Sequence, residues 1–314
     1  MSNLFNFLVV YINIYMKVLI IQTRPGIGDL CVFLPPIHAI AKNLDSAEID
    51  ILTKKRTCAK ETLKFDPFIK NIHFLETFNN SNLSLINFIK KNSYDKVYIF
   101  HYGIRYPLIC KIAGIKNIFF YGWFKKNENI VEKSKNACLT WLEKKDLEFP
   151  YKIYRPEITT IINDNIVIGI AGSGPTKKWP TENFIKLIEQ IELIKKHKFI
   201  LAGGDNEKEI AKIIKAALPK IHIDSLCNLT IEESIKFISG SKCYIGNDTG
   251  FMHICAGLSI PSYGLFGDTP INYSSYTNKI IPLSPADNKF ITHGSLAMDQ
   301  ITVNEVLSEV KKVI

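Results

Sequence analysis

The chain has 314 residues, enough for two domains at roughly 150 residues each. With 46% hydrophobic and 22% charged residues it is neither disordered nor fibrous, and no internal repeat is visible. Its 39 Lys and Arg exceed its 30 Asp and Glu by nine, which favours an anionic partner (nucleic acid, a phosphorylated metabolite or an anionic membrane) without choosing among them.

The chain opens with the apolar run Phe7-Leu8-Val9-Val10-Tyr11-Ile12, which is too short to span a bilayer and has no Lys or Arg before it. Residues 1–15 therefore read as a leader or as a start placed too early, with Met16 opening the first strand. From there short β-branched runs alternate with amphipathic stretches. Strands are expected at 17–23, 48–52, 71–75, 96–100 and 117–121, with helices at 30–43, 55–64, 83–91 and 106–113. Pro35-Pro36 should break or kink the first helix. Residues 127–165 read as irregular and charged, so the domain boundary is placed there, giving domains 16–160 and 161–314. A second alternation follows, with strands at 166–171, 198–202, 242–246 and 261–266. Helices are expected at 182–194, 207–217, 231–239 and 249–258, and a closing helix at 303–313. This pattern predicts an α/β protein of two Rossmann-like domains, whose strand-end loops face each other across a cleft. The seven cysteines are odd in number and show no metal-binding spacing, so they read as reduced thiols of a cytoplasmic protein.

Four loops carry residues suited to chemistry. Gly26-Ile27-Gly28-Asp29 opens the first helix, and Asp29 is either its cap or a cleft carboxylate able to take a proton from a bound hydroxyl. In Gly172-Ser173-Gly174-Pro175-Thr176-Lys177-Lys178-Trp179-Pro180, Thr176 and Lys177 suit a phosphate, although the spacing is not that of a Walker loop and a plain connector is equally open. Glu207, after Gly203-Gly204-Asp205-Asn206, is either a first-turn helix acid or a ligand for ribose hydroxyls. In Gly246-Asn247-Asp248-Thr249-Gly250-Phe251-Met252-His253 a strand ends and a helix mouth begins, a place for a diphosphate held by Asp248, Thr249, Gly250 and His253. Arg56 and Lys60, expected one turn apart on the second helix, form a basic face that is either solvated or suited to an anionic acceptor. No Asp-x-Asp pair marks a divalent metal, and neither a helix-turn-helix nor an RNA-binding aromatic strand marks a nucleic-acid binder.

Taken together, residues 16–36 (MKVLIIQTRPGIGDLCVFLPP), Lys177-Lys178-Trp179-Pro180 and Asp248-Thr249-Gly250-Phe251-Met252-His253 resemble glycosyltransferase family 9, the heptosyltransferase-like enzymes. The resemblance implies a GT-B fold, with the acceptor on the N-terminal domain and a nucleotide-sugar on the C-terminal one. It implies an inverting transfer without metal or other cofactor, from an ADP-activated heptose to lipopolysaccharide core or a related glycan, in the cytoplasm with peripheral contact at the anionic inner face of the cytoplasmic membrane. By the same resemblance Asp29 matches the catalytic base, while Thr176, Lys177, Glu207, Asp248, Thr249, Gly250 and His253 match the donor site. A sugar-nucleotide epimerase or hydrolase on the same fold and a non-catalytic nucleotide-sugar-binding paralogue are the alternatives.

Overall fold

The computed structural model describes residues 15–125, 128–155, 163–286 and 290–314. Residues 1–14 and the boundary expected between 160 and 161 fall outside them. The first half alternates β1 (Met16–Gln22), α1 (Ile27–Lys42), β2 (Ala47–Thr53), α2 (Ala59–Thr62), β3 (Ile69–Phe74), α3 (Asn82–Asn92), β4 (Lys96–Phe100), α4 (Arg105–Ile112), β5 (Asn117–Phe120) and α5 (Ile130–Trp141). The second comprises β6 (Asn165–Gly169), α6 (Thr181–Ile194), β7 (Lys198–Ala202), α7 (Lys208–Ala217), β8 (Ile223–Ser225), α8 (Ile231–Ile238), β9 (Cys243–Asn247), α9 (Gly250–Gly257), β10 (Ser262–Leu265), β11 (Ile280–Leu283) and α10 (Val303–Val310).

Each half is one parallel sheet. The strand orders are β3-β2-β1-β4-β5 and β11-β10-β9-β6-β7-β8, the doubly wound arrangement in both cases. In each sheet the order reverses beside the first strand, between β1 and β4 and between β6 and β9, so crevices open there at the carboxyl ends. Alternation along β1 shows why its sequence is apolar throughout. Val18 and Ile20 face the core that also takes α1, α9 and the inner face of the second sheet, while Leu19 and Ile21 face the α3–α4 layer. A third core lies between the second sheet and α6, α7 and α10.

The segment joining the halves is fastened to both. His38 of α1, fully buried, bonds the Pro150 carbonyl (3.2 Å) through one ring nitrogen and Asp66 (2.8 Å) through the other. Arg155 donates to the carbonyls of Glu61 and Thr62 (both 3.4 Å). On the opposite side the Tyr151 hydroxyl donates to the His253 carbonyl (2.5 Å) and the Ile153 amide to the Gly257 carbonyl (2.8 Å).

Several expectations are corrected. α1 runs through Pro35 and Pro36 without a break, because every residue from Leu30 to Ile40 is buried and packing outweighs the roughly 3 kcal/mol an interior proline costs. The helix expected at 55–64 is a short turn and α2, interrupted by Cys58 at φ 49°, a left-handed conformation that no continuous helix contains. Residues 130–141 are helical, not irregular. Asn129 caps the helix by accepting the Val131 amide (2.8 Å), and Val131, Ser134, Ala137 and Cys138 bury one stripe while the charges face outward. β8 and β11 were not foreseen. β11 carries Pro282 and lies at the sheet edge, where a missing N–H costs least.

Candidate active site

The loops after β1, β6 and β9 meet in a cavity of about 270 Å³. Its N-terminal wall is Arg24, Gly26, Ile27, Gly28, Asp29 and Val32; its C-terminal wall includes Ser173, Lys177, Asp248, Thr249, Gly250 and His253. The structure thus brings Asp29 together with most of the residues singled out in the second half.

Asp29 turns out to be a cap and a cleft carboxylate at once. Its Oδ2 accepts the Gly26 amide (3.0 Å) in the first turn of α1, and its Oδ1 accepts Arg24 Nε (2.5 Å). The side chain stays 24% exposed toward the cavity. Burial works against the Arg24 charge, yet Asp29 and Tyr273 raise the guanidinium pKa above its ordinary value.

On the facing wall the Asp248-to-His253 motif divides its labour. Asn247 is fully buried and structural: its side chain accepts the Trp179 amide (2.9 Å) and donates to the Ala171 carbonyl (2.8 Å), locking the lysine loop to the end of β9. Trp179 is anchored by its indole N–H on the Ile301 carbonyl (2.8 Å). Asp248 lies 3.3 Å from Nε2 of His253. Burial pushes its carboxyl up, but the His253 contact, the Lys177 charge and the Thr269 hydroxyl together hold it below the ordinary carboxylate value. His253 bonds Tyr276 through Nδ1 (2.5 Å). Burial keeps the Tyr276 phenol protonated, it shares a hydrogen bond with Nδ1, and Nε2 on the other side of the ring faces the Asp248 carboxylate. His253 is therefore a brace for Asp248, with both ring nitrogens engaged.

The helix mouth of α9 comes very close to that of α1. A Cβ on Gly28 would stand 2.7 Å from Cδ2 and 2.9 Å from Nε2 of His253, and one on Gly250 would stand 2.9 Å from Cβ of Ile27. Only hydrogen at both positions lets the two walls approach so closely. Lys177 makes no ion pair within 4 Å among the described residues, so its charge is available to the cavity.

Other residues fall elsewhere. The Thr176 hydroxyl donates to Asp268 (2.7 Å), a carboxylate that also accepts the amides of Gly294 and Leu296, and Thr176 does not line the cavity. Glu207 does not line it either. It accepts Lys178 Nζ (2.9 Å) and caps its own turn through the Gly204 amide (3.0 Å). Arg56 and Lys60 sit on separate short turns. A second cavity, of about 480 Å³, opens at the carboxyl ends of β1, β2 and β4, lined among others by Thr23, Lys54, His101 and Arg105. Sequence reasoning missed Arg24, Thr269, Tyr273 and His293, which line the first cavity. Gly267-Asp268-Thr269-Pro270 after β10 was the available signal, a small-residue strand-end loop like the others. Among the described residues no group of three or more His, Cys, Asp or Glu is placed to hold a metal ion.

Two facing doubly wound sheets with strand-end loops meeting in one cleft are the architecture of GT-B glycosyltransferases. ADP-heptose lipopolysaccharide heptosyltransferase II of E. coli matches with a TM-score of 0.75 at 19% identity, over 95% of this chain and 98% of its own. The family model for glycosyltransferase family 9 (heptosyltransferase) matches residues 135–296, just over half of the chain, and the chain belongs to that family. Lipopolysaccharide heptosyltransferase 1 of Campylobacter coli is 22% identical over 95% of this chain and 98% of its own. Lipooligosaccharide heptosyltransferase 2 of Haemophilus influenzae is 28% identical over 123 residues, so the chain spans 35% of that relative's length in the match.

Proposed function

We propose that this glycosyltransferase moves a heptose from an ADP-activated donor onto lipopolysaccharide core or a related glycan, with inversion at the transferred carbon and without a metal. The observation that carries this reading is the shared cavity, in which Asp29 on one wall faces Lys177 and the mouth of α9 on the other. Inverting transfer needs a carboxylate on the side opposite the leaving diphosphate. Asp29, oriented by its bond from Arg24, takes the acceptor proton. Lys177 and the amides of Thr249 and Gly250, at the positive end of α9, meet the charge that builds on the leaving ADP. Asp248, braced by His253, accepts hydroxyls of the donor sugar; an anion cannot itself hold a diphosphate. Thr176 supports the lysine loop through Asp268. Glu207 takes the ribose once it parts from Lys178. The acceptor glycan lies along the loops after β1, β2 and β4, with Lys54, Arg56, Lys60 and Arg105 as the cations at hand. The reading places the enzyme in the cytoplasm, where nucleotide-sugars are made.

The test is calorimetric titration with ADP, UDP, GDP and CDP in EDTA, followed by ADP release from ADP-heptose with a lipid-linked core acceptor. Preferential ADP binding, weakened by Lys177→Ala, together with EDTA-resistant turnover is the expected result. Preference for another nucleotide, or turnover abolished by EDTA, overturns the corresponding part of the reading.

A further inference from the structure

A different face of the N-terminal half carries exposed apolar side chains of a kind the active site does not use. Ile104, Leu108 and Ile112 are 58%, 47% and 59% exposed, and spacing of four residues sets them in one stripe along α4. The opposite face of α4, with Tyr106, Ile109 and Cys110, is buried against the sheet. Trp123 (57% exposed) and Phe124 (84% exposed) continue the stripe. Trp123 packs edge-on against Phe120 (5.2 Å), which belongs to the same α3–α4 layer, so the indole lies on the α4 side of β5. The loops bearing Ile104 and Trp123 are joined directly, Gly103 donating its amide to the Gly122 carbonyl (2.9 Å).

Charge separates this face from the exposed apolar residues of α6 and α8. Residues 96–127 contain six Lys or Arg and no Asp or Glu. Arg105 and Lys111 lie three residues either side of Leu108, with Lys116 and Lys125 beyond, all four exposed. None of the four makes an ion pair within 4 Å among the described residues. By contrast, exposed Leu193 and Ile194 share α6 with Glu182, Glu189 and Glu192, and Phe237 shares α8 with Glu232 and Glu233. An apolar stripe bordered by unpaired cations matches the interface of an anionic bilayer, where the rings and aliphatic tips enter the headgroup boundary and the cations meet lipid phosphates.

We propose that α4 and the Trp123-Phe124 turn form a docking surface for an anionic lipid membrane. Arg105 borders both this surface and the second cavity, so docking turns that cavity toward the lipid plane. Each lysine near an anionic surface contributes about fivefold to partitioning, so Lys111→Gln with Lys116→Gln lowers binding about twenty-five-fold.

The experiment is co-sedimentation of the full chain with phosphatidylcholine vesicles, with and without phosphatidylglycerol, at low and high salt. Trp123 fluorescence is read against lipids brominated along the acyl chain. Binding that requires phosphatidylglycerol, weakens with salt, quenches Trp123 and falls in both the lysine pair and Leu108→Ser/Trp123→Ser is expected. ADP binding is unchanged in these variants, which shows that they are folded. Failure to bind anionic vesicles, or binding that neither variant weakens, overturns the proposal. So does self-association abolished by Leu108→Ser/Trp123→Ser without vesicle binding, which would assign the face to a second copy of the chain. The vesicles carry neither glycan nor nucleotide, so the outcome is independent of the proposed sugar transfer.

Discussion

Gly28→Ala tests the closeness of the two walls. The added Cβ would stand 2.7 Å from Cδ2 of His253, whereas carbon atoms pack at about 3.5 Å or more. The imidazole must therefore retreat by about 0.8 Å or the cleft must open by a similar amount. Retreat is opposed from both ends of the ring, by Tyr276 at Nδ1 (2.5 Å) and Asp248 at Nε2 (3.3 Å). Losing one such bond and straining the other costs about 2 kcal/mol, near thirty-fold if it falls wholly on the ligand-bound state. Calorimetry with ADP should show affinity falling by up to about thirty-fold, and whatever share of the strain the free protein carries should appear as a lowered melting temperature. The decisive comparison is Gly28→Ala placed in a His253→Ala background. There the methyl meets empty space, and adding it should cost almost nothing. If the two losses add, or if Gly28→Ala alone binds ADP normally, the argument from wall contact is wrong.

Asp29→Asn keeps the size and the bond to Gly26 but removes the base. Turnover should fall by about 10²- to 10⁴-fold with ADP affinity within about twofold, and unchanged turnover would refute the assignment. Glu207→Gln should weaken ADP more than it weakens pyrophosphate if the acid reaches the ribose; equal affinities with a lowered melting temperature would leave it as a cap and a partner for Lys178. Asp50 accepts hydrogen bonds from Tyr94 (2.7 Å), Asn71 (2.9 Å) and His73 (3.2 Å). Burial pushes its carboxyl up, but these three donors hold it below the ordinary value. A lowered folded-state value stabilises the fold above the unfolded pKa, about 3.9, and the benefit is lost as pH falls through the folded value. Urea midpoints should accordingly drop on acidification below about pH 4, and Asp50→Asn should flatten that limb while lowering stability at neutral pH. An unaltered acid limb would show that other carboxylates set it.

The long apolar runs were legible because a strand covered on both faces is apolar at every position, as β1 is. Helices marked by periodicity were equally readable. What failed were places where local preference and tertiary packing disagree. Pro35 and Pro36 sit inside a helix wholly buried by its neighbours, Cys58 breaks a helix that composition allows, and the capped α5 hides among charges. In the site, Asp29 and Lys177 were visible because each follows a strand with small residues. Their partners were not, since Arg24 looks like any surface arginine, and Tyr273 and His293 reach the cavity from loops without a pattern. Nor could spacing show that His253, Thr176 and Glu207 direct their polar atoms to neighbouring side chains or backbone.

The fastened segment between the halves has a mechanical consequence. Its anchors on one side are α1 and α2, and on the other they are the first and last turns of α9, through the carbonyls of His253 and Gly257. It is a tie-rod more than a free hinge. Any rotation that widens the cleft pulls on the helix whose mouth faces the donor, so opening the enzyme and loosening its grip on the nucleotide become one movement. Product release then needs no separate latch, and substitutions at Tyr151 or Ile153, which do not line the cavity, bear on how fast the nucleotide leaves.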